Sequence, residues 1–251
     1  TRRARDVTHP ALNIQYGDRE SEKMDVYLPQ ETSFPLLVYI HGGYWQFLSK
    51  EESGFVVPPL VSRGIAVMAM DYDLAPRGDM DLIVSQVRRS VAAALERYPQ
   101  ISAVYLCGHS AGAQLAAMTL STDWSQYGGV TPDIRGALLV SGVYDLLPLT
   151  STYVNDALQM SQEAAVRNSP GQLTKLLKNN ADNCHLIIVV AEHDSPEFHR
   201  QSREYFQSLE DLGVSVSYRQ VEDADHFDVI ERLSREDYVL TQLLLEMILK
   251  Q

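Results

Sequence analysis

A serine, a histidine and an aspartate far apart in this chain are the residues best suited by type and spacing to do chemistry. Ser110 stands in Gly108-His109-Ser110-Ala111-Gly112, between the apolar run 104–107 and the helix-prone AQLAAMTL. Strand, sharp turn and helix is the context in which a G-x-S-x-G lifts a serine hydroxyl to the top of a sheet as a nucleophile. Glycines are needed on both sides because a side chain at either position would collide with neighbouring backbone. The N-terminus of the helix that follows offers free N–H groups to developing negative charge. The rival nucleophile nearby, Cys107, points from a strand into the core and behaves as a small apolar residue.

Serine acylation creates a tetrahedral oxyanion, which needs preorganised N–H donors. His41-Gly42-Gly43-Tyr44-Trp45 directly follows the apolar run LLVYI, and two successive glycines let backbone approach that oxygen with no Cβ in the way. The N–H groups of Gly42 or Gly43, joined by Ala111, are the expected oxyanion hole. A simple turn at a strand end is the plainer reading, made weaker by the pairing of H-G-G with G-x-S-x-G.

Seven histidines compete for the role of base: His9, His41, His109, His185, His193, His199 and His226. Behind a nucleophile elbow of this kind the partners follow in chain order, acid and then histidine. His226, in Asp225-His226-Phe227-Asp228 after SVSYRQV, occupies that place. His193 and His199 come too early, and His41 and His109 belong to the loops already assigned. Asp194 closes the run LIIVVAEH and is preferred as the acid over Asp145 in SGVYDL. Asp225 and Asp228 flank the histidine too closely to fold back onto its Nδ1. In such a triad His226 takes the Ser110 proton, Ser110 attacks a carbonyl, and the imidazolium protonates the leaving group. No histidine and carboxylate group has metal-ligand spacing, so neither a metal nor another cofactor is expected.

The elements around these residues alternate. Apolar runs at 36–40, 65–70, 104–107, 137–140 and 186–191 read as buried parallel strands, and 23–28 (KMDVYL) reads as an edge strand. Over 80–95 the positions Met80, Ile83, Val87, Val91 and Leu95 form one helical stripe. A helix is expected to start at Pro196 with Ser195 as its cap, and a last one to cover 235–249 with Ser234 and Asp237 as a capping box. The class is α/β, a mostly parallel doubly wound sheet. One domain is expected over 1–251, because α/β folds reach this length around a single core. The stretch 145–183 is longer than a usual crossover, holds two short helical patterns, and reads as a cap over the site.

Hydrophobic residues at 45% and charged ones at 22% fit an ordinary soluble globular chain. The formal charge of -12, from 21 basic against 33 acidic residues, disfavours nucleic acid and anionic lipid surfaces as partners. No apolar run approaches the roughly 18 residues that span a bilayer, and no apolar core follows the basic start TRRARDVTHP. Cys107 and Cys184 both fall in runs read as strands, so no disulfide framework is expected and a reducing, cytoplasmic setting fits, the nucleus included.

HGGYWQ, DYDLAP, GHSAGAQLA, SGVYDL, AEHDSPEF and DHFDVIE, in that order, resemble the kynurenine formamidases (arylformamidases) from Tyr16 onward. The H-G-G and G-H-S-A-G elements alone would suit hormone-sensitive-lipase-like esterases generally; HGGYW together with EHDSPEF and DHFD narrows the field. The resemblance implies an α/β-hydrolase fold with a helical cap insertion and hydrolysis of N-formyl-L-kynurenine to L-kynurenine and formate. It also implies a cytosolic homodimer of tryptophan catabolism whose members carry a further N-terminal segment bearing on the closed side of the pocket. On this chain it places the triad at Ser110, Asp194 and His226, the oxyanion donors at Gly43 and Ala111, and Trp45 in the substrate pocket. Tyr44, Trp45 and Phe227, beside the catalytic loops, are the expected flanks of the substrate's aromatic ring, with Asn168 and Ser169 at its amino-acid end. The competing readings are a general carboxylesterase and a catalytically silent binding protein on the same fold. The silent protein would lack a triad member, and here Ser110, Asp194 and His226 are all present.

Overall fold

The computed structural model describes residues 1–8, 10–180 and 183–250. Eight strands pair into one sheet in the order β1-β2-β4-β3-β5-β6-β7-β8. They are β1 (Ala11–Gln15), β2 (Lys23–Tyr27), β3 (Phe34–Ile40), β4 (Ala66–Met70), β5 (Ile101–His109), β6 (Ile134–Val140), β7 (His185–Ala191) and β8 (Val216–Val221). From β4 through β3 to β8 every pairing is parallel, while β1 and β2 run antiparallel to their neighbours. All five apolar runs belong to the parallel set. The segment 23–28 is β2 but not an edge, because β1 pairs outside it.

The helices are α1 (Arg2–Val7), α2 (Val57–Val61), α3 (Met80–Arg97), α4 (Ala111–Leu120), α5 (Asn155–Leu158), α6 (Gln162–Arg167), α7 (Thr174–Asn180), α8 (Pro196–Asp211), α9 (Asp228–Glu231) and α10 (Val239–Leu249). They cover both faces, as a parallel sheet requires. Alternate side chains divide between them: Leu36, Val38 and Ile40 pack with α3, α4 and α8, and Leu37, Tyr39 and Cys107 with α2 and α10. On α3 the expected stripe is buried at Met80, Ile83, Val87 and Val91. Asp79 caps this helix by accepting the Leu82 N–H at 2.8 Å.

Three further details differ from expectation. Helix α10 begins at Val239 rather than 235, because the Ser234 hydroxyl donates to Glu231 O at 3.0 Å and Asp237 pairs with Arg235, leaving no capping box. Ser195 occupies the cap position of α8, but its side chain makes no capping bond. Cys184 lies buried just ahead of β7 rather than within it.

Between β6 and β7 the chain forms α5, α6 and α7 with two short 3₁₀ turns, more helical pieces than the two expected. Residues 181 and 182 of the expected 145–183 stretch, and His9, lie outside the described residues. Strand β3 leads to β4 on one side, and the chain then crosses back to β5 on the other. Ligand sites of open α/β sheets form at the carboxyl ends of strands where the winding reverses in this way. Here those ends carry His41 to Trp45 and Ser110.

Candidate active site

Ser110 joins β5 to α4 at φ 56°, ψ −118°, a conformation that L residues rarely adopt, and is 4% exposed. The turn is as tight as the motif demands. A Cβ on Gly108 would lie 2.1 Å from Gly112 O, and one on Gly112 2.0 Å from Ile40 O. The Ser110 N–H donates to Val140 O at 2.9 Å, pinning the elbow to β6.

The loop after β3 presses against Ser110. A Cβ on Gly42 would come within 3.3 Å of Ser110 Cβ and 2.7 Å of His109 O. Gly43, Tyr44 and Trp45 all have positive φ, so the chain coils back on itself. Among the described residues, no acceptor takes the N–H of Gly42, Gly43 or Ala111, which leaves these donors free for an oxyanion. Trp45, fully buried, is a strut as well as a wall: its Nε1–H donates to Gln114 Oε1 at 3.0 Å, and Gln114 Nε2 donates onward to Asn168 O at 2.9 Å. From the segment after β4, the Ala75 N–H donates to Trp45 O at 2.9 Å and the Tyr72 hydroxyl to His41 O at 3.0 Å.

Asp194 and His226 meet across the loops that follow β7 and β8. The imidazole Nδ1–H donates to Asp194 Oδ1 at 2.6 Å, which leaves Nε2 as the basic nitrogen. The other carboxylate oxygen accepts from Ser141 Oγ at 2.6 Å and from the Ala191 N–H at 2.8 Å. Burial works to raise the Asp194 carboxyl, but the bonds from His226, Ser141 and Ala191 outweigh it and hold the group below the usual carboxylate range. The two loops are laced together by the His193 N–H donating to Ala224 O at 3.0 Å. Ser110 Oγ and His226 Nε2 are not hydrogen-bonded here, as is common before substrate binds. The competing acids are occupied locally: Asp145 accepts the Leu147 N–H at 3.0 Å, and Asp225 those of Phe227 and Asp228, each at 2.8 Å.

The remaining described histidines are engaged elsewhere. His41, stacked on Tyr72, and His109 are buried, and burial first of all pushes them down to about 4 and about 3, so both stay neutral. His185 bonds Ser215 Oγ, and His199 lies 3.2 Å from Glu192 O. His193 forms with Glu192 and Asp223 an exposed group whose ligand atoms lie within 4.8 Å of one another, a proximity that the sequence spacing did not show.

A cavity of about 210 Å³ opens on Ser110, walled by Tyr44, Trp45, Val143, Tyr153, Glu197 and Phe198. Phe227, expected here, is 65% exposed and absent from the wall. The α8 residue Phe198 takes that place, its ring centroid 4.5 Å from that of His226. Asn168 and Ser169 are buried and already bonded, Asn168 to Asp81 at 2.8 Å and Ser169 to Ala165 O at 2.7 Å, so neither is free for a substrate head group. The 145–183 stretch does reach the cavity, through Leu149, Thr152, Tyr153 and Val154.

Residues 37–229 match the family described as alpha/beta hydrolase fold. A kynurenine formamidase of Salmo salar is 58% identical over 98% of this chain and 85% of its own length. One of Drosophila melanogaster is 30% identical over 92% of the chain and 79% of its own length. The chain belongs to the kynurenine formamidase family. Esterase B of a Lactobacillus superposes with a TM-score of 0.78 at 20% identity, over 96% of this chain and 84% of that one, which shows the fold.

In this kynurenine formamidase family member, reading the sequence missed Ser141, Gln114 and Phe198. Ser141 opens SGVYDL, in which Asp145 is the residue whose type suggests an acid. Gln114, a polar residue on an otherwise buried helix, was a signal in itself, since an amide in that setting must find partners. Nothing in the local pattern distinguished Phe198 from Phe227.

Proposed function

We propose that this chain hydrolyses N-formyl-L-kynurenine to L-kynurenine and formate, with Ser110 as nucleophile, His226 as general base and Asp194 as the acid that orients it. The substrate reading rests on the near full-length likeness to kynurenine formamidases. The triad roles are supported by the 2.6 Å Asp194–His226 pair beside the strained Ser110 turn.

Ser110 Oγ, losing its proton to His226 Nε2, adds to the formyl carbon. The oxyanion falls to the free N–H groups of Ala111 and of Gly42 or Gly43. The imidazolium then protonates the aniline nitrogen, the C–N bond breaks and kynurenine leaves a formyl ester on Ser110. Water, deprotonated by His226, attacks that ester; formate departs and Ser110 recovers its proton. A formyl carbon bears only hydrogen and so asks for the least room beside Ser110. Tyr44, Trp45 and Phe198 offer apolar surface to the aromatic ring. Glu197 is the charged side chain on the cavity wall, and the Arg200 guanidinium holds its carboxyl below the usual range. Its oxygens already accept from Arg200 and Gln201, and what it offers the substrate ammonium is the negative charge of a carboxylate at the cavity wall.

The test compares kcat/KM for N-formyl-kynurenine, its N-acetyl analogue and a short aryl ester. The formyl amide is expected to lead, and Glu197→Gln to raise KM for it while sparing an aryl formamide that lacks the amino-acid end. Equal turnover of the acetyl amide would refute selection for the small acyl group, and turnover of esters alone would replace this reading with a carboxylesterase.

A further inference from the structure

His109 fills the variable position of the elbow, and the reaction described above makes no use of it. It is 6% exposed. Its Nε2 lies 2.7 Å from the backbone carbonyl of His226, and the two rings lie 4.7 Å apart, tilted by 46°. A carbonyl only accepts, so the proton is on His109 Nε2 and that nitrogen donates. Among the described residues the loop it reaches has few other ties to the elbow: the Asp225 carboxylate accepts from the N–H groups of its own turn, and Phe227 stands in solvent.

We propose that His109 is a positioning residue, which ties the loop carrying the base directly to the turn carrying the nucleophile. Asp194 fixes the azimuth of the His226 ring through Nδ1; His109 fixes the backbone from which that ring projects. The two restraints are independent, because Asp194 hangs from β7 and His109 from β5. Covalent continuity from His109 to Ser110 means that any shift of the elbow carries the base with it. The tie serves catalysis only if the tying ring is uncharged, since a cation there would repel the imidazolium that forms on His226 during acylation. Burial, and next the neighbouring His226, keep it neutral, while Asp194 is the carboxylate that acts on it in the opposite sense.

This inference rests on the reading of Ser110 and His226 as nucleophile and base. The test uses the full chain with His109→Gln, His109→Asn and His109→Leu, assayed for kcat and KM on the formyl amide. Glutamine places an amide N–H close to where Nε2 stood; asparagine stops one methylene short, and leucine has no donor. The Leu and Asn variants are expected to lose kcat by about 10- to 100-fold with KM changed little, the size of loss that small misplacements of reacting groups produce. The Gln variant is expected to recover most of it. Should leucine fail to fold, the Gln and Asn pair carries the comparison, since both are polar and differ in reach. A Leu or Asn variant with kcat within twofold of the parent, or a Gln variant as slow as Asn, would overturn the proposal. Full activity of Ser110→Ala would instead overturn the triad beneath it, so the two failures are distinguishable.

Discussion

Asp194 does two jobs with two oxygens, and the division determines what its amide should do. Oδ1 holds the His226 proton, while Oδ2 is held by Ser141 and the Ala191 N–H. An asparagine can keep the Ser141 and Ala191 bonds only by leaving its oxygen there, which turns its NH₂ toward Nδ1 and forces the imidazole into the wrong tautomer. Asp194→Asn is therefore expected to lower kcat by about 10⁴-fold. Asp145→Asn should leave kcat within a few-fold, because that carboxylate serves a local turn; steady-state kinetics of the two variants gives the ranking, and the reverse order would mean the acid comes from β6. Ser110→Ala should abolish labelling by an organophosphonate, read by mass spectrometry of the intact chain. The Ser110 turn and the Asp194–His226 pair were legible in the sequence because chain order and a strand-turn-helix context leave few candidates. The ring wall was not: Phe198 and Phe227 both lie close in sequence to Asp194 or His226, and which one faces the cavity depends on how α8 is seated, a tertiary fact.

Element by element, α4 does more than place its N-terminal end beside Ser110. Its Gln114 joins three parts of the site, the loop after β3 through Trp45 Nε1, the elbow through the helix that follows it, and the 145–183 segment through Asn168 O. Gln114→Leu keeps the volume and removes both bonds, stranding a buried indole N–H and a carbonyl. Each stranded group costs roughly 1–3 kcal/mol, so urea unfolding should show a loss on the order of 2–6 kcal/mol; a loss under about 1 kcal/mol would mean that the amide is not a joint. Apolar periodicity located α3 and the parallel strands because burial on one or two faces writes itself into the sequence. It failed for β1, whose ALNIQ is largely exposed at the sheet edge, and at the start of α10, where Ser234 and Asp237 spend their side chains on nearer partners.

For the molecule as a whole, the sheet that brings these loops together also shuts two histidines away from water, and that should set how stability answers to pH. The class and the parallel winding were readable from five apolar runs, but the reversal at β3 and β5 that encloses His41 and His109 depends on strand order, which no local pattern encodes. Both rings are depressed by burial, to about 4 and about 3, against about 6.5 in an unfolded chain. A folded-state value below the unfolded one means that the unfolded chain binds protons which the folded one refuses. The stability these groups contribute is thus fully present above about pH 6.5 and is lost as pH falls from there toward 4. With each site worth about 1.4 kcal/mol per pH unit once the unfolded histidine is protonated, two together approach about 2.7 kcal/mol per unit near pH 5. His185, also depressed by burial, adds in the same direction. Asp194 has the same sign, since its folded value lies below the unfolded one, but its share is lost only below about pH 4. Urea unfolding between pH 5 and 7.5 should therefore show a plateau above about 7 and a steep decline below 6.5, and His41→Gln should remove roughly half of the slope at pH 5 to 6. Stability that stays level from pH 7 to 5 would mean that the folded protein admits protons to these rings after all.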